Sequence, residues 1–288
     1  MPHMLDCEAI KKRMDEAIHS LPTLSPSAVQ IMRVANDLSA APKDLMDIIK
    51  VDPVLTGKIL KLINSTYFSM PQQVTSLNRA LIMLGLNTIK NIALSSAVVE
   101  ASGKESKNKH FDLHDLWLHM LAVGVANKSF AKAAGQSRQA LEEYFIAGLL
   151  HDIGDMMLMK YLPDEYHAAV EHAGLTQKRV VEACRELLGL TGPEIGVQIG
   201  GHWKLPENLV QCIAAQETPP ANPSPLVKMI LFADRHCRSA EIGYTCDKLG
   251  CDNLEADLQG LGLSAEAYRD AAAHLPEELE KAKVFLKS

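Results

Sequence analysis

The chain has 288 residues, of which 47% are hydrophobic and 22% are charged, so it can bury a sizeable core and is not expected to be disordered. Its net charge of −6 excludes the strongly basic composition typical of nucleic-acid-binding proteins. The sequence contains no run of about 20 apolar residues that would span a membrane. Residues 1–13 also lack the apolar run of a signal peptide, and the six cysteines form no CxxC pair. We therefore expect a cytoplasmic protein with reduced thiols.

Nearly every segment has the pattern of an α-helix, because apolar residues recur at three- and four-residue spacing and no alternating strand pattern appears. Ser25 and Asp52 each precede a proline, which predicts a capped helix start with proline at the first helical position. Ser76 and Asp112 are further predicted caps. The predicted helices span 7–19, 25–38, 42–50, 54–63, 77–84, 88–99, 112–134, 140–150, 156–161, 163–173, 177–188, 193–203, 206–216 and 225–238.

The polar, charge-dense stretch at 101–110 divides the chain. We predict an N-terminal helical lobe over 1–105, a second helical lobe over 106–240 and a C-terminal helical extension over 241–288. The tail is expected to form one or two helices with a break near Pro276. The predicted fold class is an all-α, two-lobed helical bundle.

Three predicted helices of the second lobe carry a histidine or an acid where their periodicity calls for a core residue. His119 lies on the apolar stripe of the long helix that follows the polar stretch. Asp152 falls four residues after Gly148 if the next helix continues that far. Asp234 lies four residues after Ile230. Three such residues in one lobe predict a shared polar site.

The adjacent pair His151-Asp152 follows a strongly apolar helix. A buried carboxylate beside an imidazole costs free energy unless something neutralises it. Histidine and carboxylate side chains that converge from several helices can bind a divalent metal ion. They can equally form a closed network of ion pairs, and the pattern alone leaves both interpretations open.

At these residues the sequence resembles a known family. His119, His151-Asp152 and Asp234 look like the H…HD…D metal signature of the HD phosphohydrolase superfamily. Further blocks of sequence are similar to the HDOD domains of bacterial signalling proteins, in the same order and spacing. These blocks lie at 21–26, 52–55, 64–68, 76–85 and 147–154. The resemblance covers about residues 15–240 and includes an HD-type C-terminal lobe.

The resemblance implies an all-helical fold of two lobes and a role in bacterial signal transduction. It implies that His119, His151, Asp152 and Asp234 hold one divalent ion (Fe, Mn, Ni or Mg), or that the pocket is metal-free. The implied partners are bacterial signalling proteins or a small nucleotide ligand. The net charge of −6 disfavours a nucleic-acid partner, and no membrane partner is expected, because the sequence lacks a membrane-spanning run.

The departures from the catalytic HD-GYP relatives concern three places. Those relatives carry a lysine where Asp155 stands, a histidine where Gly192 stands, and two histidines where Gln216 and Glu217 stand. A two-metal phosphodiesterase site is therefore not expected. We interpret the chain as a regulatory HDOD module with a degenerate, non-catalytic HD pocket.

The alternative is a metal-dependent phosphohydrolase that acts on a nucleotide or a related phosphoester through the intact four-residue set. In that case Glu217 is the nearby candidate for a general base. No basic residue is predicted to grip a phosphate, because Lys228 and Arg235 are expected to form surface salt bridges.

Overall fold

The computed structural model of the protein describes residues 6–21, 26–35, 41–102, 108–244, 251 and 253–287. Over these residues the chain forms helices and no extended strand, which confirms the predicted all-α class. The α-helices are α1 (Cys7–Ser20), α2 (Pro26–Ala35), α3 (Pro42–Lys50), α4 (Pro53–Ile63), α5 (Leu77–Leu84), α6 (Leu86–Ser102), α7 (Leu113–Ala133), α8 (Leu141–Leu150), α9 (Ile153–Tyr161), α10 (Pro163–Thr176), α11 (Val180–Leu188), α12 (Gly192–Trp203), α13 (Glu207–Ala214), α14 (Pro225–Ser239) and α15 (Ala265–Ala282). Two 3₁₀ helices, Leu254–Leu261 and Lys283–Lys287, flank α15.

Helix α7 is the centre of the fold. It packs against α8, α14 and α15, and α8 in turn contacts α6, α13 and α14. Because neighbours surround it, α7 buries fourteen of its 21 residues. A helix that is apolar all round is typical of the middle of a large core. This arrangement sets the neighbouring ends of α7, α8 and α14 around one buried position.

The N-terminal part of the chain packs on this centre through α6. Helices α2, α4 and α5 contact α6, and α6 contacts α8. Helix α1 instead packs on α9, α11 and α12. One continuous cluster of buried apolar side chains runs from Ile10 to Phe285 through all of these helices. The domain boundaries proposed from the sequence stay predictions.

A partly buried ion pair links these parts of the chain. The Lys128 ammonium on α7 lies 2.5 Å from a Glu142 carboxylate oxygen on α8 and donates a hydrogen bond to the Tyr67 hydroxyl at 3.0 Å. It also lies 4.5 Å from the centre of the Tyr67 ring, within range of a cation–π interaction. The Phe285 ring closes the cluster, with its centroid 5.4 Å from that of Tyr67.

Three of the four predicted helix caps are confirmed. The side chains of Asp52, Ser76 and Asp112 accept hydrogen bonds from backbone amides in the first turns of α4, α5 and α7. The predicted cap Ser25 lies outside the described residues. Helix α6 begins at Leu86, two residues earlier than predicted, because the chain re-enters a helix directly after Gly85.

The predicted break near Pro276 is wrong, because α15 continues through this residue. A proline removes one backbone hydrogen bond and usually bends or ends a helix. Here Pro276 lies on the exposed face, so water can satisfy the carbonyl that it leaves unpaired. Leu275 is buried and Leu279 packs on the core, which holds the two halves of the helix in line.

No helix within the described ranges has both the length and the apolar character needed to cross a membrane. The five cysteines in these ranges form no disulfide bond with one another. Cys246 lies outside them.

Candidate metal centre

The close crossing of α7 and α8 brings two histidines together. A Cβ atom added to Gly148 on α8 would overlap the backbone of Gly124 on α7, so only glycine allows this approach. His119 on α7 and His151 at the end of α8 lie beside the crossing, with ring centroids 5.5 Å apart. They are almost fully buried, with exposures of 2% and 1%.

Two carboxylates complete a ring of four donors with these histidines. The His119 Nε2 atom lies 3.1 Å from Asp234 Oδ1, and His151 Nε2 lies 3.1 Å from Asp152 Oδ2. The other two sides of the ring are 3.5 Å from His151 Nε2 to Asp234 Oδ1 and 3.8 Å from His119 Nε2 to Asp152 Oδ2. The structure therefore brings together all four residues that the sequence singles out.

Asp152 reaches this group from the turn after α8. Helix α8 ends at Leu150, as predicted, and Asp152, with φ −107° and ψ 24°, stands just before α9. The helix does not continue through Asp152, because the backbone leaves the helical region at this residue. The resulting turn directs the carboxylate toward His151 Nε2.

The backbone fixes the tautomer of both histidines. The Nδ1 atom of His119 lies 3.2 Å from the carbonyl oxygen of Ile242, and Nδ1 of His151 lies 2.7 Å from the carbonyl oxygen of Gly148. A carbonyl oxygen only accepts hydrogen bonds, so each Nδ1 carries the proton. In its neutral form, each imidazole then presents the lone pair of Nε2 to the centre of the four donor atoms. Metal-binding histidines are held in the same way.

Burial, together with the neighbouring His151, favours the neutral form of His119 and lowers its pKa to about 4. Burial by itself would raise the pKa of Asp152, but the two histidines and Arg238 outweigh burial and hold that pKa well below its usual range. Arg238 also donates to both carboxylate oxygens of Asp234, with Nε 2.9 Å from Oδ1. At neutral pH His119 is therefore neutral and Asp152 is ionised.

These donors fit a divalent metal ion. The Nε2 atoms of His119 and His151 each face a carboxylate oxygen, and His151 Nε2 is buried without a hydrogen-bond partner. Lone pairs that face each other at this distance repel unless a proton or a metal cation lies between them. Two ligands bound at about 2.1 Å and separated by roughly 90–110° lie about 3.0–3.4 Å apart, close to three sides of the ring. His119, His151 and Asp234 thus form a group that could hold a metal ion.

A small cavity opens beside the ring. Its volume is about 80 Å³, and His119 and Asp152 form part of its wall. Polar and charged side chains from six other parts of the chain also line it, beside apolar side chains. The polar and charged ones are Asp155, Tyr166, Arg179, Gln216, Arg238 and Tyr244.

Asp155 is the acidic residue of this wall whose pKa is raised. Burial, together with the negative charge of Asp152, raises its pKa to about 7, although a hydrogen bond from the Tyr166 hydroxyl at 2.9 Å acts in the opposite direction. A Cβ atom at Gly192 would overlap the Asp155 carboxylate. Asp155 therefore fills the space that a side chain at position 192 would need.

Glu217 does not line the cavity. Its carboxylate accepts hydrogen bonds from Arg185 at 2.7 Å and from the Thr191 hydroxyl at 2.8 Å, behind α12. The neighbouring Gln216 reaches the cavity instead. The residue proposed from the sequence as a candidate base thus serves to hold α11, α12 and α13 together.

Arg238 is the residue of the site that the sequence interpretation missed. It lies four residues after Asp234, the spacing at which an arginine and an aspartate on one helix pair, so this spacing could have found it. Arg235 pairs with Asp257 on the surface, as expected. Lys228 is exposed.

The comparisons with known proteins agree with this fold. The family model of the HDOD domain matches residues 21–219. The crystal structure of an "HDOD domain protein with unknown function" from Geobacter sulfurreducens is 23% identical, with a TM-score of 0.75 over 97% of this chain and 99% of the other. The "Putative phosphohydrolase" of Shewanella amazonensis SB2B is 25% identical, with a TM-score of 0.71 over 94% and 97% of the two chains.

An uncharacterized protein of Treponema pallidum (strain Nichols) is 24% identical over 228 residues, which are 77% of this chain. The chain spans 43% of the length of that relative. The family match covers more than two thirds of the sequence and includes His119 and His151-Asp152, whereas Asp234 follows it. The chain therefore belongs to the HDOD domain family.

Proposed function

We propose that this chain is a bacterial regulatory HDOD module whose HD pocket binds one divalent cation and does not turn over a phosphoester. His119, His151, Asp152 and Asp234 would hold the ion. When bound, such an ion supplies positive charge that can polarise a phosphoryl oxygen. The geometry of the four donors and the buried, unpaired Nε2 atom of His151 support the binding half of this proposal.

The small size of the cavity supports the second part of this proposal, that the module is regulatory and does not turn over a phosphoester. Small-molecule sites usually enclose roughly 300–1,000 Å³, whereas the cavity beside the ring holds about 80 Å³. The space beside the ring is thus smaller than a usual small-molecule site. Asp155 and Gly192 also replace the lysine and the histidine of the catalytic relatives that the sequence resembles. We therefore favour another bacterial signalling protein as the partner over a nucleotide ligand.

The ring of donors also has a role that needs no catalysis. The carboxylates of Asp152 and Asp234 carry more negative charge than Arg238 alone neutralises. A bound divalent ion would outweigh the remaining negative charge and tie α7, α14 and the turn before α9 to one point. The module would then report the presence of the metal through its stability.

The test is to load the purified protein with Mn²⁺, Fe²⁺ or Ni²⁺ and to measure metal content together with hydrolysis of nucleotides and bis-p-nitrophenyl phosphate. We expect one ion per chain, its loss in His151→Ala, and equal background hydrolysis in both proteins. His172→Ala is the matched control, because His172 is a surface histidine beside Glu186. Metal-dependent turnover that disappears in His151→Ala would contradict the regulatory half. Absence of bound metal in the loaded wild-type protein would contradict the binding half.

One set of observations favours metal-dependent phosphohydrolysis as a second candidate. Arg179 and Arg238 both line the cavity and could contact a small phosphoryl group. Asp155 has a pKa of about 7, which suits a general acid or base near neutral pH. If this candidate is correct, turnover of a small phosphomonoester should change near pH 7, and this change should be absent in Asp155→Asn.

A further inference from the structure

The segment that follows α14 turns back across α7 directly over His119. We call residues 241–244 the strap. Its path is fixed at both ends by backbone hydrogen bonds, since Ile242 N donates to the Cys237 carbonyl at 3.1 Å and Tyr244 N donates to the Asp115 carbonyl at 2.9 Å. The Tyr244 ring also packs edge-on against Phe111, with centroids 5.8 Å apart.

Gly243 allows the strap to lie against α7. Its φ of +73° is in the left-handed region, which side chains other than glycine rarely adopt. A Cβ atom at this position would lie 2.5 Å from His119 N and 2.6 Å from the Asp115 carbonyl oxygen. A larger residue must therefore lift the strap from α7, and the Ile242 carbonyl would move with it.

The two histidines of the ring differ in how their Nδ1 protons are held. His151 donates to Gly148, three residues away on its own helix, so its partner comes with the local fold. His119 donates to Ile242, which is 123 residues away. The orientation of His119 thus depends on the tertiary placement of the strap, whereas that of His151 does not.

We infer that the strap is a positioning element of the metal centre: Gly243 holds the Ile242 carbonyl at His119, and this contact keeps Nε2 of His119 unprotonated and directed at the ring of donors. The inference rests on the proposed metal site for its effect on affinity. Its structural half, the tautomer of His119, holds with or without a metal. Loss of such an outer contact typically weakens metal binding about 10–100-fold.

The tautomer is measured first, in metal-free, ¹⁵N-labelled protein with chelator, from two-bond ¹H–¹⁵N correlations of the imidazole rings. Variants His119→Gln and His151→Gln assign the two signals. We expect the Nδ1–H tautomer for both residues in the wild-type protein. In Gly243→Ala, His119 should shift toward the Nε2–H form while His151 keeps its tautomer. An Nε2–H tautomer of His119 in the wild-type protein would overturn the inference.

Metal affinity is measured next, by calorimetric titration with Ni²⁺. Gly243→Ala should bind about 10–100-fold more weakly than the wild type. The matched control is Gly135→Ala, because Gly135 also has a positive φ of +80° but has open space around its missing Cβ. This control should keep the wild-type affinity and tautomers. A folded Gly243→Ala protein with wild-type tautomers and affinity would refute the positioning role.

Two further outcomes keep the inference separate from the proposed function. If the wild type binds no Ni²⁺, the proposed metal site fails, while the tautomers still decide the role of the strap. If Gly243→Ala does not fold, Tyr244→Ala loosens the strap without a steric clash, because it removes the packing on Phe111. We expect a smaller shift of the same kind at His119 in that variant, and an unchanged His119 signal there would refute the inference.

Discussion

Asp155→Asn should make the stability of the protein less dependent on pH, because Asp155 holds its proton more tightly in the folded than in the unfolded chain. In the folded protein its pKa is about 7, against an ordinary value of 3.8. The neutral acid is therefore the form that the fold favours. Asparagine has nearly the same shape and stays neutral at every pH, so it removes this dependence.

The sign of the effect follows from linkage. A raised folded-state pKa gives a stability contribution that is complete below about pH 4 and is lost as the pH rises through 7. Each pKa unit corresponds to about 1.4 kcal/mol, so the three-unit difference amounts to about 4 kcal/mol, of which roughly 2–3 kcal/mol falls between pH 5 and pH 8. His119 acts in the opposite sense, because its folded-state pKa of about 4 lies below its ordinary value of 6.5. That contribution is common to both proteins and cancels in their difference.

The assay is urea denaturation of the wild type and of Asp155→Asn at several pH values between 5 and 8, followed by circular dichroism with chelator present. The difference between the two free energies of unfolding should change by about 2–3 kcal/mol over this range, in the direction that favours the variant at high pH. Tyr166→Phe removes a hydrogen bond that lowers the Asp155 pKa, so it should move the transition to higher pH. Parallel pH profiles for the wild type and Asp155→Asn would refute the reasoning.

Two other predictions concern the packing around α7. Gly148→Ala should destabilise the protein by about 3 kcal/mol or more in urea denaturation, because the added methyl overlaps the α7 backbone. The control Gly57→Ala, in open space on α4, should stabilise the protein by about 0.5–1 kcal/mol. Equal effects at the two glycines would contradict the close crossing of α7 and α8. Lys128→Met should destabilise by about 2–4 kcal/mol, because it leaves the Glu142 carboxylate partly buried and unpaired. Adding Glu142→Gln should recover part of this loss, and a double-mutant cycle with no coupling energy would contradict the ion pair.

The sequence predicts the helices well because burial and capping leave a local signature. A buried stripe repeats at the helical period, and this is also why His119 and Asp234 stand out on their helices. Asp152 lies in the turn between α8 and α9, so its position is set by that turn and not by the helical period. Periodicity does not describe residues beyond the end of a helix. In the sequence, Pro276 suggests a break in the helix, but the effect of a proline depends on whether its side of the helix faces water. Only the tertiary structure determines which side that is, so the sequence alone predicts the break wrongly.

Contacts made by the backbone leave no comparable signature. The carbonyl oxygen that holds His119 belongs to Ile242, whose side chain has no part in the contact. Arg238 is ambiguous for a different reason, because a basic residue in the last turn of a helix is also favoured by the helix dipole alone. Residues whose side chains form the site could thus be found from the sequence. A residue that contributes only its backbone carbonyl, such as Ile242, could not.

The overlap between Asp155 and position 192 restricts the order in which this site could change during evolution. A histidine introduced at 192 while Asp155 is present would have to push the carboxylate away from Tyr166. Replacement of Asp155 first would free that space and allow the second substitution. The two positions are therefore epistatic, and a side chain is accommodated at position 192 more easily after Asp155 has been replaced.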